Sequence, residues 1–165
     1  MAHDSDAVAV QDIWRTMTVA ERQVLSQAFW DDTESVSQQV EAVQAIAKQY
    51  KFRPQSVLRL PPERRMKQLA SMGRIPESVA ARALVVYHLS LKRPMLEMFL
   101  DQLGIRHEQG VIDDTPADPP GADRLKTAVD TISASFPVAD VRLYLRTLVA
   151  QDPDTWGGLR DLIPA

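Results

Sequence analysis

Apolar residues recur at spacings of three and four along almost the whole chain, and no run shows the apolar/polar alternation of a half-buried strand. That one pattern restricts the chain to helices packed on helices. Val36, Val40, Val43, Ala47 and Tyr50 form one stripe, and Ala80, Leu84, Tyr87 and Leu91 form another. The expected fold class is therefore all-α, a compact multi-helix bundle of helical hairpins.

Local signals set the ends. In TVAE at 18–21, the Thr18 hydroxyl can accept from the Glu21 amide while the Glu21 carboxylate reaches back, the arrangement of a capping box. Pro54, Pro61, Pro76, Pro94 and Pro137 suit first helical positions, where a missing N–H costs nothing. Gly73 and Gly104 suit the left-handed position just past a helix end. Together these predict helices at 5–16, 19–30, 34–50, 62–72, 77–91, 94–103, 123–135 and 138–150, with a short turn at 54–59.

Residues 105–122, an acidic and proline-rich loop, make the one long break. The 43 residues after it are too few to bury a core alone, so residues 1–165 are expected to form a single domain. A weak echo relates 78–104 to 123–149, placing Leu84 on Val129, Leu91 on Phe136 and Phe99 on Tyr144. It points to a two-helix repeat in the C-terminal half, although two units are fewer than repeat arrays need.

The start MAHDSDAVAV carries acid where a targeting signal needs base, and apolar runs such as ALVV are far too short to span a bilayer. A cytoplasmic protein without membrane contact is expected. With no cysteine there is no thiolate nucleophile, disulfide, iron-sulfur cluster or cysteine zinc site. Nucleophile elbows, phosphate-cradling glycine loops and dinucleotide fingerprints are missing as well.

GIRHEQG at 104–110 resembles a site, yet its spacing supports no metal. A two-histidine helix motif would need histidine at Val111, and a di-iron carboxylate motif would need glutamate at Val85 or Gly104. His88 and His107 are about ten residues out of register in a hairpin, on the order of 15 Å. DPDTWGG at 152–158 fails as a calcium loop at Trp156 and Ile163; Asp152 reads instead as the cap of a short helix begun by Pro153. No metal and no cofactor are expected. An enzyme reading would have to assemble its site from His107, Glu108, Arg106 and Tyr87, in a pocket holding His107 beside a second polar group.

The strongest feature that a generic helical protein would lack is the charge map. The net charge of −3 conceals a basic centre, in which residues 48–74 hold eight bases against Glu63 alone. On the helix PPERRMKQLASMG, Met66, Leu69, Ala70 and Gly73 share one face, Arg64, Lys67, Gln68 and Ser71 share the other, and Arg65 sits at the border. Partner binding is assigned to Lys51, Arg53, Arg59, Arg64, Arg65, Lys67 and Arg74. The chain reads as a non-enzymatic interaction module whose partner is an acidic protein, with nucleic acid on the same patch as the alternative. Tyr50 and Phe52 are the segment's only stacking residues. GGLRDLIPA at the C-terminus reads as a last piece of core or as a docking helix, and Trp14, Trp30 and Trp156 as core or contact.

Overall fold

The computed structural model describes residues 9–165. Residues 1–8, with His3 and the expected start of the first helix at residue 5, lie outside the described residues. The fold is all-α: 73% of the described residues are helical, and among them there is only a two-stranded hairpin besides. The elements are α1 (Val10–Thr16), α2 (Val19–Asp31), α3 (Val36–Tyr50), α4 (Pro54–Leu58), α5 (Pro62–Ser71), α6 (Glu77–Leu91), α7 (Arg93–Leu103), β1 (His107–Glu108), β2 (Val111–Ile112), α8 (Ala122–Ser135), α9 (Val138–Gln151) and α10 (Pro153–Trp156), followed by a 3-10 helix, Gly157–Leu162.

The described chain divides into two compact units, one of Val10–Tyr87 and one built on His88–Ala165, with the boundary inside α6. The two units differ in charge balance. Residues 10–87 hold eleven bases to eight acids, and residues 88–165 hold eight bases to twelve acids.

In the first unit α2 and α5 run antiparallel. Ser26 donates to the Met66 carbonyl at 2.9 Å, Arg65 lies over the Trp30 ring at 4.8 Å, and Arg22 approaches Gly73. Their seam buries Leu25, Phe29, Leu69 and Ala70. The short α1 is fixed from a distance, because the buried Trp14 indole donates to the Met72 carbonyl at 2.8 Å and Gln11 donates to the Ile75 carbonyl at 3.0 Å. Thr18 caps α2 as expected, accepting from the Glu21 amide at 3.1 Å while its own hydroxyl donates to the Glu21 carboxylate.

Two expectations here are corrected. The buried face of α3 is Ala42, Val43, Ile46 and Ala47, whereas Val36, Val40 and Tyr50 are exposed. Small alanines let the neighbouring elements close over that side, and the valine stripe marks only its edge. Gly73 is not left-handed either, since α5 ends on an extended Met72 whose carbonyl the Trp14 indole takes up.

The turn from α2 to α3 is held by charge. Asp32 accepts from Ser35 and from Arg82 of α6 at 3.2 Å, Ser35 also accepts from Arg82 at 2.8 Å, and Gln39 donates to the carbonyls of Phe29 and Asp32. Burial pushes the Asp32 carboxyl up, but hydrogen bonds from Ser35, Arg82 and the Glu34 amide, with the Arg82 charge, outweigh it and hold it below the ordinary carboxylate range. A depressed carboxyl stabilises the fold above its unfolded pKa of about 3.9, and that contribution is lost as pH falls through the lower folded value. Asp32→Asn should therefore cost about 1–3 kcal/mol in urea unfolding at neutral pH, and the gap from wild type should close as the pH is taken below about 3. A gap of equal size at both pH values would show that the charge of Asp32 contributes nothing.

The second unit packs α7 against α8, with α9, α10 and the 3-10 helix closing one core around Leu96, Phe99, Leu125, Ile132, Leu145 and Trp156. Helix α7 ends in a Schellman motif: Gly104 is left-handed at φ 67, its amide donates to the Asp101 carbonyl, and the Ile105 amide donates to that of Leu100. Asp152 caps α10 through the Thr155 amide, and Leu159, fully buried, makes the C-terminal segment part of the core. At Gly158 a Cβ would stand 2.9 Å from the Leu125 side-chain end, which would have to shift. The echo between the two hairpins breaks at Leu91, which is 53% exposed where Phe136 packs on the core. None of the described helices is long and apolar enough to cross a membrane.

Candidate interaction surface

Lys51, Arg53, Arg59, Arg64, Arg65, Lys67 and Arg74 all belong to the first unit. The chain arrives at this surface through an unusual helix end. At the end of α3, Lys51 takes the left-handed conformation at φ 57, and the amides of Lys51 and Phe52 both donate to the Ala47 carbonyl. A side-chain-bearing residue in that region costs about 1–2 kcal/mol, an expense a glycine would avoid.

The reversal has a specific result. Residues two apart in a helix point to different sides, yet here Tyr50 and Phe52 stack on each other, with ring centroids 6.4 Å apart and planes 29° from parallel. They are 37% and 45% exposed. The Tyr50 hydroxyl is hydrogen-bonded to that of Ser71, which pins the ring to α5.

From there the chain runs through an extended Arg53, imposed by the following Pro54, into α4, whose one buried residue is Val57. Arg59 leads on to α5. On α5 the buried side is Leu69 and Ala70, with Arg65, Met66 and Gln68 half-covered and Arg64, Lys67 and Ser71 facing outward. Tyr50 thus touches the same outward face that carries Lys67 and Arg64.

Six of the seven assigned bases are exposed. Lys67 pairs with Glu63 at 3.0 Å, an exposed pair one turn apart of small energetic weight. Among the described residues, no acidic side chain lies within ion-pair distance of Lys51, Arg53, Arg59, Arg64 or Arg74. Arg65 differs. It is half-buried over Trp30, and its Nε is buried without an acceptor, so the indole face supplies its main partner. It belongs to the α2–α5 seam more than to the open surface.

The residues of the enzyme reading are placed otherwise. Tyr87 is buried in the first unit, while Arg106, His107 and Glu108 lie on the β-hairpin of the second. His107 accepts from the Gly110 amide through Nδ1 at 3.1 Å and lies 2.7 Å from Asp101 through Nε2. Since Nδ1 accepts, Nε2 carries the hydrogen and donates to Asp101 of α7; both nitrogens are occupied. The nearby open cleft of about 440 Å³ is lined by Leu103, Arg106, Asp114, Pro116 and Arg124, and His107 is not part of its wall. His88 is buried against Tyr144, with ring centroids 5.4 Å apart. Among the described residues, no three His, Asp or Glu side chains gather in a way that could hold a metal ion.

Sequence reasoning named the basic residues and Tyr50 and Phe52 as stacking residues; it missed that this pair stacks on itself and that Arg65 is engaged by Trp30. Comparison of the chain with known protein families, curated proteins and solved structures finds no match.

Proposed function

We propose that the protein is a non-enzymatic interaction module that takes an anionic macromolecular partner on the basic surface running from the end of α3 to the end of α5. The observation that carries this reading is the set of five exposed cations, Lys51, Arg53, Arg59, Arg64 and Arg74, with no acidic side chain of the described fold to neutralise them. Unpaired surface cations on one element cluster raise the local potential and speed encounter with an anion. A cytoplasmic location is part of the same proposal.

The surface also dictates which residues to change. Arg65 holds Trp30, so reversing it would place a carboxylate over a ring face and disturb the fold together with any binding. Arg59, Arg64 and Arg74 are exposed and hold no ion pair. Reversal of these three to glutamate should leave the helical circular dichroism and the urea midpoint nearly unchanged and should abolish capture of the principal partner from a lysate. Undiminished capture by the triple variant would overturn the reading.

A further inference from the structure

Resting on the reading above, we infer that the partner of this surface is single-stranded nucleic acid, with Tyr50 and Phe52 as the platform for its bases and the surrounding lysines and arginines as contacts for its phosphates. Three observations on one edge of the first unit converge on that chemistry.

The aromatic pair is exposed and fixed. Phe52 has no polar handle, and 45% of it faces water although it follows a helix end that the chain makes at a conformational cost in Lys51. Tyr50 is held by Ser71 and by its stack on Phe52, so the rings are ordered before any ligand arrives. A base can cover such a platform at little cost in side-chain entropy.

The cations alternate with the rings. Lys51 stands between Tyr50 and Phe52 in the chain, Arg53 follows, and the Tyr50 contact with Ser71 joins them to the outward face of α5 with Lys67 and Arg64. A basic track beside exposed ring faces is the composition of surfaces that bind single strands without reading sequence.

The ring electrostatics discriminate between anions. An aromatic face is the negative side of its quadrupole, so the carboxylates of an acidic peptide are repelled from the exposed rings, whereas a nucleobase stacks on them. A duplex offers phosphates but keeps its bases stacked on each other, so it can use the cations and not the platform.

The test is fluorescence anisotropy on the full chain with three probes: a labelled thymidine homopolymer of about twenty nucleotides, longer than a typical single-fold site, its duplex with the complementary strand, and polyglutamate. The single strand should bind best. With four phosphates neutralised its affinity should fall on the order of 50-fold between about 50 mM and about 200 mM salt. Phe52→Ala should weaken single-strand binding by about tenfold, with little effect on the duplex, and Phe52→Trp should restore it. The triple reversal of Arg59, Arg64 and Arg74 should remove binding.

Equal affinity for strand and duplex, or a Phe52→Ala variant that binds the strand as well as wild type, would overturn the stacking inference and leave the basic interaction surface standing. Polyglutamate bound more tightly than the strand, and lost on triple reversal, would overturn nucleic acid as the partner in favour of an acidic protein. No binding of any of the three polyanions, or binding indifferent to the triple reversal, would overturn both the inference and the reading beneath it.

Discussion

Trp14→Ala should destabilise the Val10–Tyr87 unit by about 3–5 kcal/mol, a large part of what a domain of this size holds in reserve. The indole is fully buried, so its loss leaves a cavity in the core. Its Nε1 also donates to the Met72 carbonyl across 58 positions of sequence, at the point where α5 stops. Trp14→Phe separates the two contributions. It keeps most of the ring and orphans the carbonyl, so it should cost about 1–3 kcal/mol. Because that hydrogen bond fixes the C-terminal end of α5, Arg74 and the Ser71 contact to Tyr50 should loosen with it. Urea unfolding followed by circular dichroism measures both variants, and amide hydrogen exchange in α5 shows where the loss falls. Trp14→Phe unfolding at the wild-type midpoint would mean that Met72 finds another donor.

The helices were legible because their signals are local. Proline stands at or within one residue of the start of α4, α5, α6, α7 and α9, and Gly104 ends α7 as its neighbours Leu100 and Ile105 required. The core of α7 was legible for the same reason: Leu96, Phe99, Leu100 and Leu103 repeat at helical spacing and are all buried. The β-hairpin was not. Its strands are two residues each, too short for any alternation, and its register, His107 to Ile112 and Glu108 to Val111, is set by the turn Gln109–Gly110 with φ of 53 and 90. A non-glycine followed by glycine between two such pairs is the turn signal that could have found it. Gly110 is needed twice over, since a Cβ there would crowd Leu96 at 3.3 Å.

The candidate surface was legible as composition and not as geometry. Eight bases in 27 residues are visible in the chain. Which of them stay free depends on where the acids fall in three dimensions. Nothing local marks Arg65 for Trp30, a residue 35 positions earlier that becomes its neighbour only when α2 and α5 pack antiparallel. The aromatic platform depends on Lys51 adopting a conformation that composition assigns to glycine or asparagine. On an ordinary helical path Tyr50 and Phe52 would point apart, and the one-dimensional reading had no reason to join them.

Phe99→Ala should be the counterpart in the second unit, at about 3–5 kcal/mol. Phe99 is fully buried, meets Tyr144 edge to face with centroids 5.5 Å apart and planes at 86°, and tilts against Trp156 at 5.9 Å. Those two rings come from α9 and α10, so one side chain of α7 ties itself to two of the helices that close the core. Phe99→Leu keeps the site filled and removes the ring contacts, each worth about 0.5–1.5 kcal/mol, and should therefore cost about 1–3 kcal/mol. Burial pushes the Tyr144 phenol above its ordinary range. The functional corollary is a dissociation of effects. On the proposed binding of the anionic ligand to the first unit, at temperatures where Phe99→Leu is folded its affinity for the single strand should equal that of wild type, while Phe52→Ala should show wild-type stability and reduced affinity. Loss of strand affinity in Phe99→Leu at full helicity would place part of the binding site on His88–Ala165 and enlarge the surface argued from α3 to α5.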